Sequence, residues 1–167
     1  GATLTHAAST ATEVHGLDLR VSGTLTIEEG GSIDVTGRGY PAAATYPGAA
    51  GSTNAGGSHL GTGGVSGGAA RAATYGSVER PREAGSGGWG SYAKPRGGVV
   101  RIEAGSPVLG ATTARISANG GAGDHRGGAG GSIWIRAGTI GGDGLIEGAG
   151  GVSYYARGGG GAVAIEY

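Results

Sequence analysis

Side chains able to do chemistry are few in this chain, and their spacing is poor for it. Gly64-Val65-Ser66-Gly67-Gly68 matches the G-x-S-x-G pattern, which presents a serine nucleophile on a sharp strand-to-helix turn. With 43 glycines and 13 serines in 167 residues, about one such match is expected by chance, so this one has meaning only between a strand and a helix. Gly85-x-Gly87-x-x-Gly90 fits the dinucleotide fingerprint, but no apolar strand precedes it and no helix pattern follows. The histidines at 6, 15, 59 and 125 include no pair at metal-ligand spacing and read as surface or loop residues. Asp124-His125-Arg126 reads as a solvated turn, and Glu79-Arg80-Pro81-Arg82-Glu83 as a self-neutralising surface patch or a lock between neighbouring chains. Gly141-Gly142-Asp143-Gly144-Leu145 occurs once, with its Asp out of place for a calcium-binding nonapeptide. Asp18, Asp34 and Glu28-Glu29 leave room only for an adventitious ion. No catalytic, cofactor or metal residue is therefore expected, and the chain reads as non-enzymatic.

The aromatic residues are a better lead. All nine are Tyr or Trp, seven and two, each an apolar plate with a polar edge suited to interfaces and sugar stacking. Tyr40, Tyr46, Trp89, Tyr92, Tyr154 and Tyr155 are the candidate contacts to glycans or a partner. Trp134 lies inside a strand pattern and reads as packing.

The elements that would position these residues follow from a repeat. Gly98-Val99-Val100-Arg101-Ile102-Glu103-Ala104, Gly131-Ser132-Ile133-Trp134-Ile135-Arg136-Ala137 and Gly161-Ala162-Val163-Ala164-Ile165-Glu166-Tyr167 are close copies, and Gly31-Ser32-Ile33-Asp34-Val35-Thr36 is a looser one. Ile102 and Ile135 lie 33 residues apart; Ile135 and Ile165, and also Ile116 and Ile146, lie 30 apart. Each unit thus holds two strands, and a unit buries its apolar face only against its neighbours. Alternation within the strands points Leu17, Leu19, Val21, Leu25, Ile27, Ile33 and Val35 inward, and Asp18, Arg20, Thr24, Thr26 and Asp34 to water. Glycine and Glu-Gly turns divide residues 16–37 into three short strands.

Composition sets the frame for that repeat. Leu, Ile and Val number 7, 9 and 10 and Phe is absent, so the core is thin and backbone pairing must offset the entropy that glycine loses. Charges cancel at 12 against 12 with no basic stripe, which speaks against nucleic-acid binding. Without cysteine, neither disulfides nor thiolate metal sites exist. No apolar run approaches a membrane span. With no methionine, the chain is expected to be a processed or excised segment.

Four regions follow: an arm at 1–13, a strand block at 14–36, a glycine-rich excursion at 37–96 and repeat units at 97–167. A structureless excursion of that length is unexpected in a compact domain. It either lies across one face, held by Tyr40, Tyr46, Tyr75, Trp89 and Tyr92, or forms extended polyproline-II-like strands packed side by side; the first reading is preferred. The expected fold is all-β, a parallel β-helix or β-solenoid with short strands.

Gly130 to Ala137, Gly144 to Gly151 and Gly158 to Tyr167 resemble the glycine-rich repeat modules of large secreted bacterial surface proteins. The resemblance covers 97–167 and, more loosely, 14–39. It implies a secreted, cell-surface or extracellular scaffold used in adhesion, layers or filaments. The chain stops on an uncapped strand, and free-standing solenoids usually blunt such ends. The expectation is therefore head-to-tail self-association into an extracellular filament or matrix, with Leu4, Val163, Ile165 and Tyr167 as candidate interface residues. A glycan-binding adhesin is the second reading, and a polysaccharide lyase or hydrolase a distant third.

Overall fold

The computed structural model describes residues 1–89 and 94–167; Tyr92 lies outside the described residues. Among the described residues nine strands follow one another: β1 (Thr3–Leu4), β2 (Leu17–Ile27), β3 (Ser32–Asp34), β4 (Val99–Leu109), β5 (Arg115–Ser117), β6 (Ser132–Ala137), β7 (Gly141–Gly142), β8 (Leu145–Glu147) and β9 (Ala162–Glu166). No helix occurs among the described residues. The fold is all-β, with two parallel sheets ordered β1-β3-β5-β8 and β2-β4-β6-β9, and β7 paired to β4. The chain moves back and forth between the sheets, so each parallel pair is closed by a long crossover.

The repeat spacings are the pairing registers. Ile102 lies opposite Ile135, Ile135 opposite Ile165, and Ile116 opposite Ile146. Alternation then stacks like on like. One inner row runs Leu19, Ile102, Ile135, Ile165, and a second runs Leu17, Val100, Ile133, Val163. Facing them on the other sheet is the row Leu4, Ile33, Ile116, Ile146. These rows form one core between the sheets, in which Val100, Ile102, Ile116, Ile133 and Ile135 are wholly buried. Leu17, Leu19, Val21 and Leu25 pack against it while Asp18, Arg20, Thr24 and Thr26 face solvent, as the alternation requires. Residues 16–37 hold two strands rather than three. Gly23 does not turn the chain; it lies within β2, where the pairing with β4 shifts register between Val21 and Thr24.

The crossovers from the first sheet to the second form the other half of the molecule. Three of them close with an equivalent hydrogen bond, from the amides of Gly98, Gly131 and Gly161 to the carbonyls of Val35, Ala118 and Gly148. Along 127–131 the amides of Gly127, Gly128, Ala129, Gly130 and Gly131 donate in turn to Ala156, Gly121, Ser86, Gly159 and Ala118. Donors three apart reach the same neighbour: Gly127 and Gly130 the segment near 156–159, Gly128 and Gly131 the segment 118–121. The carbonyls of Gly127, Gly128 and Ala129 accept from Gly57, Gly151 and Gly97. A β-strand offers its backbone groups in two opposite directions. A period of three with every bond to another segment is the habit of polyproline-II-like chains, which make no internal hydrogen bonds. Such a bundle needs glycine, because a Cβ on Gly127 would land on the Gly151 carbonyl and one on Gly131 on the Gly98 carbonyl.

Residues 37–96 are an enlarged version of the same crossover. Parts of the described stretch do not lie over a face, which departs from the preferred expectation. Gly57 donates to Gly127 and accepts from Gly159, Gly61 donates to Gly160, and Gly85 donates to Gly97, so parts of the excursion are strands of the glycine bundle. Among the described residues of the stretch, packing on a sheet face is seen at Tyr40, Ala44 and 80–84. Tyr40 and Ala84 cover Val99, the Ser132 hydroxyl donates to the Glu83 carbonyl at 2.6 Å, and Pro81 is buried.

Candidate functional site

The four residues expected at an interface lie at the outer strands of the two sheets. Leu4, Val163 and Ile165 are exposed because they end the inner rows, with a core neighbour on one side only. Tyr167, just beyond β9, is 81% exposed. On β2, at the opposite edge of the same sheet, Leu17 and Leu19 end the same rows and are half-buried. Among the described residues, both edges therefore present backbone without a strand partner beside an interrupted apolar row, the arrangement that invites another strand.

The outer face of this sheet holds a pattern that the sequence reading missed. Arg20, Glu103, Arg136 and Glu166 stand opposite one another on successive strands, a row of alternating charge. Beside it runs Asp18, Arg101, Trp134 and Ala164. Arg101 reaches within 3.5 Å of Asp18 and lies 5.0 Å over the Trp134 ring. The Trp134 indole N–H donates to Glu166 Oε1 at 3.0 Å, and Arg80 Nε donates to the same oxygen at 3.1 Å. The indole bond and then Arg80 hold the Glu166 carboxyl below the usual range. Trp134 is buried, in keeping with a packing role. Residues 79–83 form a strap within the chain rather than a free patch: Arg80 pairs with Glu166 and Pro81 is buried beneath it. The signal for the charge row was present, since each member follows Leu19, Ile102, Ile135 or Ile165, but it emerges only when the strands are set in register.

The aromatic candidates do not form one surface. Tyr40 is 3% exposed against Val99 and Ala84, so it is a core residue and not a glycan contact; burial raises its pKa. Tyr46 stacks on Tyr75 at 5.1 Å, and the half-buried Trp89 ring lies against Gly51. Tyr154 and Tyr155 are the exposed pair. Tyr155 stacks on His125 at 5.0 Å, Tyr154 meets Tyr155 edge-on, and the two line an open trough with Asp124, Val152 and Arg157. Tyr154 is 87% exposed.

His59 and Arg96 are buried inside the glycine bundle, beside the buried and hydrogen-bonded Ser58 and Ser86. His59 Nδ1 lies 3.0 Å from the Gly130 carbonyl, which can only accept and so fixes the proton on Nδ1. Its Nε2 has no hydrogen-bond partner among the described residues, and burial lowers its pKa. His59 is thus a core histidine, not a surface one. Arg96 is 1% exposed, donates from Nη2 to the Gly88 carbonyl at 2.8 Å and lies against Gly87; burial brings its pKa down to about 10. Ser66 occupies an exposed turn and donates to the Asn54 carbonyl, without the strand and helix that a nucleophile elbow requires. Among the described residues no group of three His, Asp or Glu is placed to hold a metal, and no helix is long and apolar enough to cross a membrane. No known protein family, curated protein or solved structure matches the chain.

Proposed function

We propose that the chain is a structural module, a β-solenoid whose coils stack through their sheet edges, and that it self-associates as a subunit of an extracellular bacterial filament or matrix. The observation that carries this reading is the pair of outer strands β2 and β9, with apolar rows interrupted at Leu17 and Leu19 on one and at Val163 and Ile165 on the other. Stacked like-on-like rows support the solenoid reading, since each coil is completed by the next. The extracellular setting follows from the resemblance to secreted glycine-rich repeat modules. Negative-stain microscopy and size measurement across a concentration series test the reading. Elongated particles that lengthen with concentration are expected, and a monodisperse monomer at high concentration would contradict it.

A glycan-binding role is favoured by one separate feature, the exposed Tyr154–Tyr155 plates beside Asp124 and Arg157. Tyrosine faces stack on sugar rings while charged neighbours bond their hydroxyls. A glycan array is expected to give hits that disappear in Tyr154→Ala/Tyr155→Ala. An array at background removes this reading and leaves the structural one standing.

A further inference from the structure

The charge row on the outer face points to a specific way for two copies to meet. We infer that β9 of one copy pairs in parallel with β2 of the next, with Glu166 opposite Arg20, Ile165 opposite Leu19 and Val163 opposite Leu17. This inference rests on the self-association proposed above and names its partner surface, polarity and register.

Four observations converge on that register. Within the sheet the row reads Arg20, Glu103, Arg136, Glu166, so its two ends carry opposite charges and a second copy continues the alternation unbroken. The same alignment sets the inner-row ends of this sheet against each other and, on the other sheet, brings Ile146 to Leu4. Slipping the pairing by one residue would turn the apolar row outward. Slipping it by two residues in one direction would set Glu166 against Asp18, and like charges directly opposite are destabilising. Glu166 is also prepared for the contact. Trp134 and Arg80 both bond Oε1, which fixes the carboxylate on the outer face, and Oε2, which has no hydrogen-bond partner among the described residues, can accept from an incoming guanidinium. Arg20 is well exposed, with Asp18 at 3.5 Å beside it.

Sedimentation velocity of the 167-residue chain at low salt, with Arg20→Glu, Glu166→Arg, their equimolar mixture and Arg80→Ala, tests the inference. Each charge reversal alone is expected to weaken association about tenfold, since a cross-strand attraction becomes a repulsion. Mixing the two is expected to restore it, because the two introduced charges oppose each other at one kind of junction and the two native ones at the other. That restoration also shows that both variants are folded. Arg80→Ala, which removes one of the two bonds that hold Glu166 in place, is expected to weaken association by less than either reversal; an effect as large as a reversal's would contradict the register. Reversals without effect, a mixture no better than its components, or a closed dimer indifferent to Glu166→Arg would overturn the inference while leaving self-association intact. A parent chain that stays monomeric at every concentration would overturn both.

Discussion

Between β6 and β9, Ile133 meets Val163 and Ile135 meets Ile165, and the sheets are held by what these side chains bury. Between 127–131 and 156–159 the chain meets itself backbone to backbone, with hydrogen bonds at 2.9–3.0 Å and no room for a Cβ at Gly127, Gly130, Gly158 or Gly159. Neighbouring segments stack in both halves, but one half specifies the spacing with large apolar residues and the other by leaving most side chains out. The bundle thereby turns a residue type that ordinarily weakens structure into the condition for it. Conformational entropy opposes this, and the dense backbone bonding in three directions offsets it.

Substitutions that exchange the rules of the two halves should break this contrast most sharply. Gly131→Val puts side-chain atoms onto the Gly98 carbonyl, and overpacking against backbone with no flexible group to yield is expected to cost more than about 3 kcal/mol. Urea unfolding is expected to show a collapsed midpoint or no folded baseline. Ile135→Ala, in the wholly buried inner row, is expected to cost about 3 kcal/mol by leaving a cavity, again read from the urea midpoint.

A pH series separates the halves at smaller amplitude. His59 faces Tyr75 and Glu83 inside the bundle, and its folded pKa lies below the unfolded value of about 6.5. The unfolded chain therefore binds the proton first. Stability is expected to be level above about pH 6.5 and to fall as the pH drops below it, by at most about 1.4 kcal/mol per pH unit for this one group. His6, also lowered chiefly by burial, adds to the same trend. His59→Asn is expected to flatten the slope in thermal melts without abolishing it. The smallest effect is expected at Gly23, whose added Cβ would meet nothing within 4 Å. Gly23→Ala should leave the melting temperature unchanged or raise stability by about 0.5 kcal/mol through the unfolded chain.

The sheet half was legible in the sequence because its signals are side chains. Period-two alternation marked the inner residues, and the 30- and 33-residue spacings were the registers themselves. The bundle half was legible only as an alternative, since 127–131 shows a single side chain, Ala129, and a three-residue hydrogen-bond period leaves no mark on a run of glycines. Tyr40 misled for a related reason. An aromatic among small residues reads as exposed, whereas here it packs on Val99 through a segment distant in sequence. At the sheet edges Leu4, Val163, Ile165 and Tyr167 could be picked out from the repeat and its end, but the opposing charges of Arg20 and Glu166 required the register.

Hydrogen exchange resolved to single amides tests most directly whether the glycine bundle is a second folded core. The account predicts that the amides of Gly127 to Gly131 exchange as slowly as those of Ile133 to Ile135 in β6, because both are bonded inside one stacked structure. Exchange of 127–131 at the rate of an unstructured chain, with β6 still protected, would contradict it.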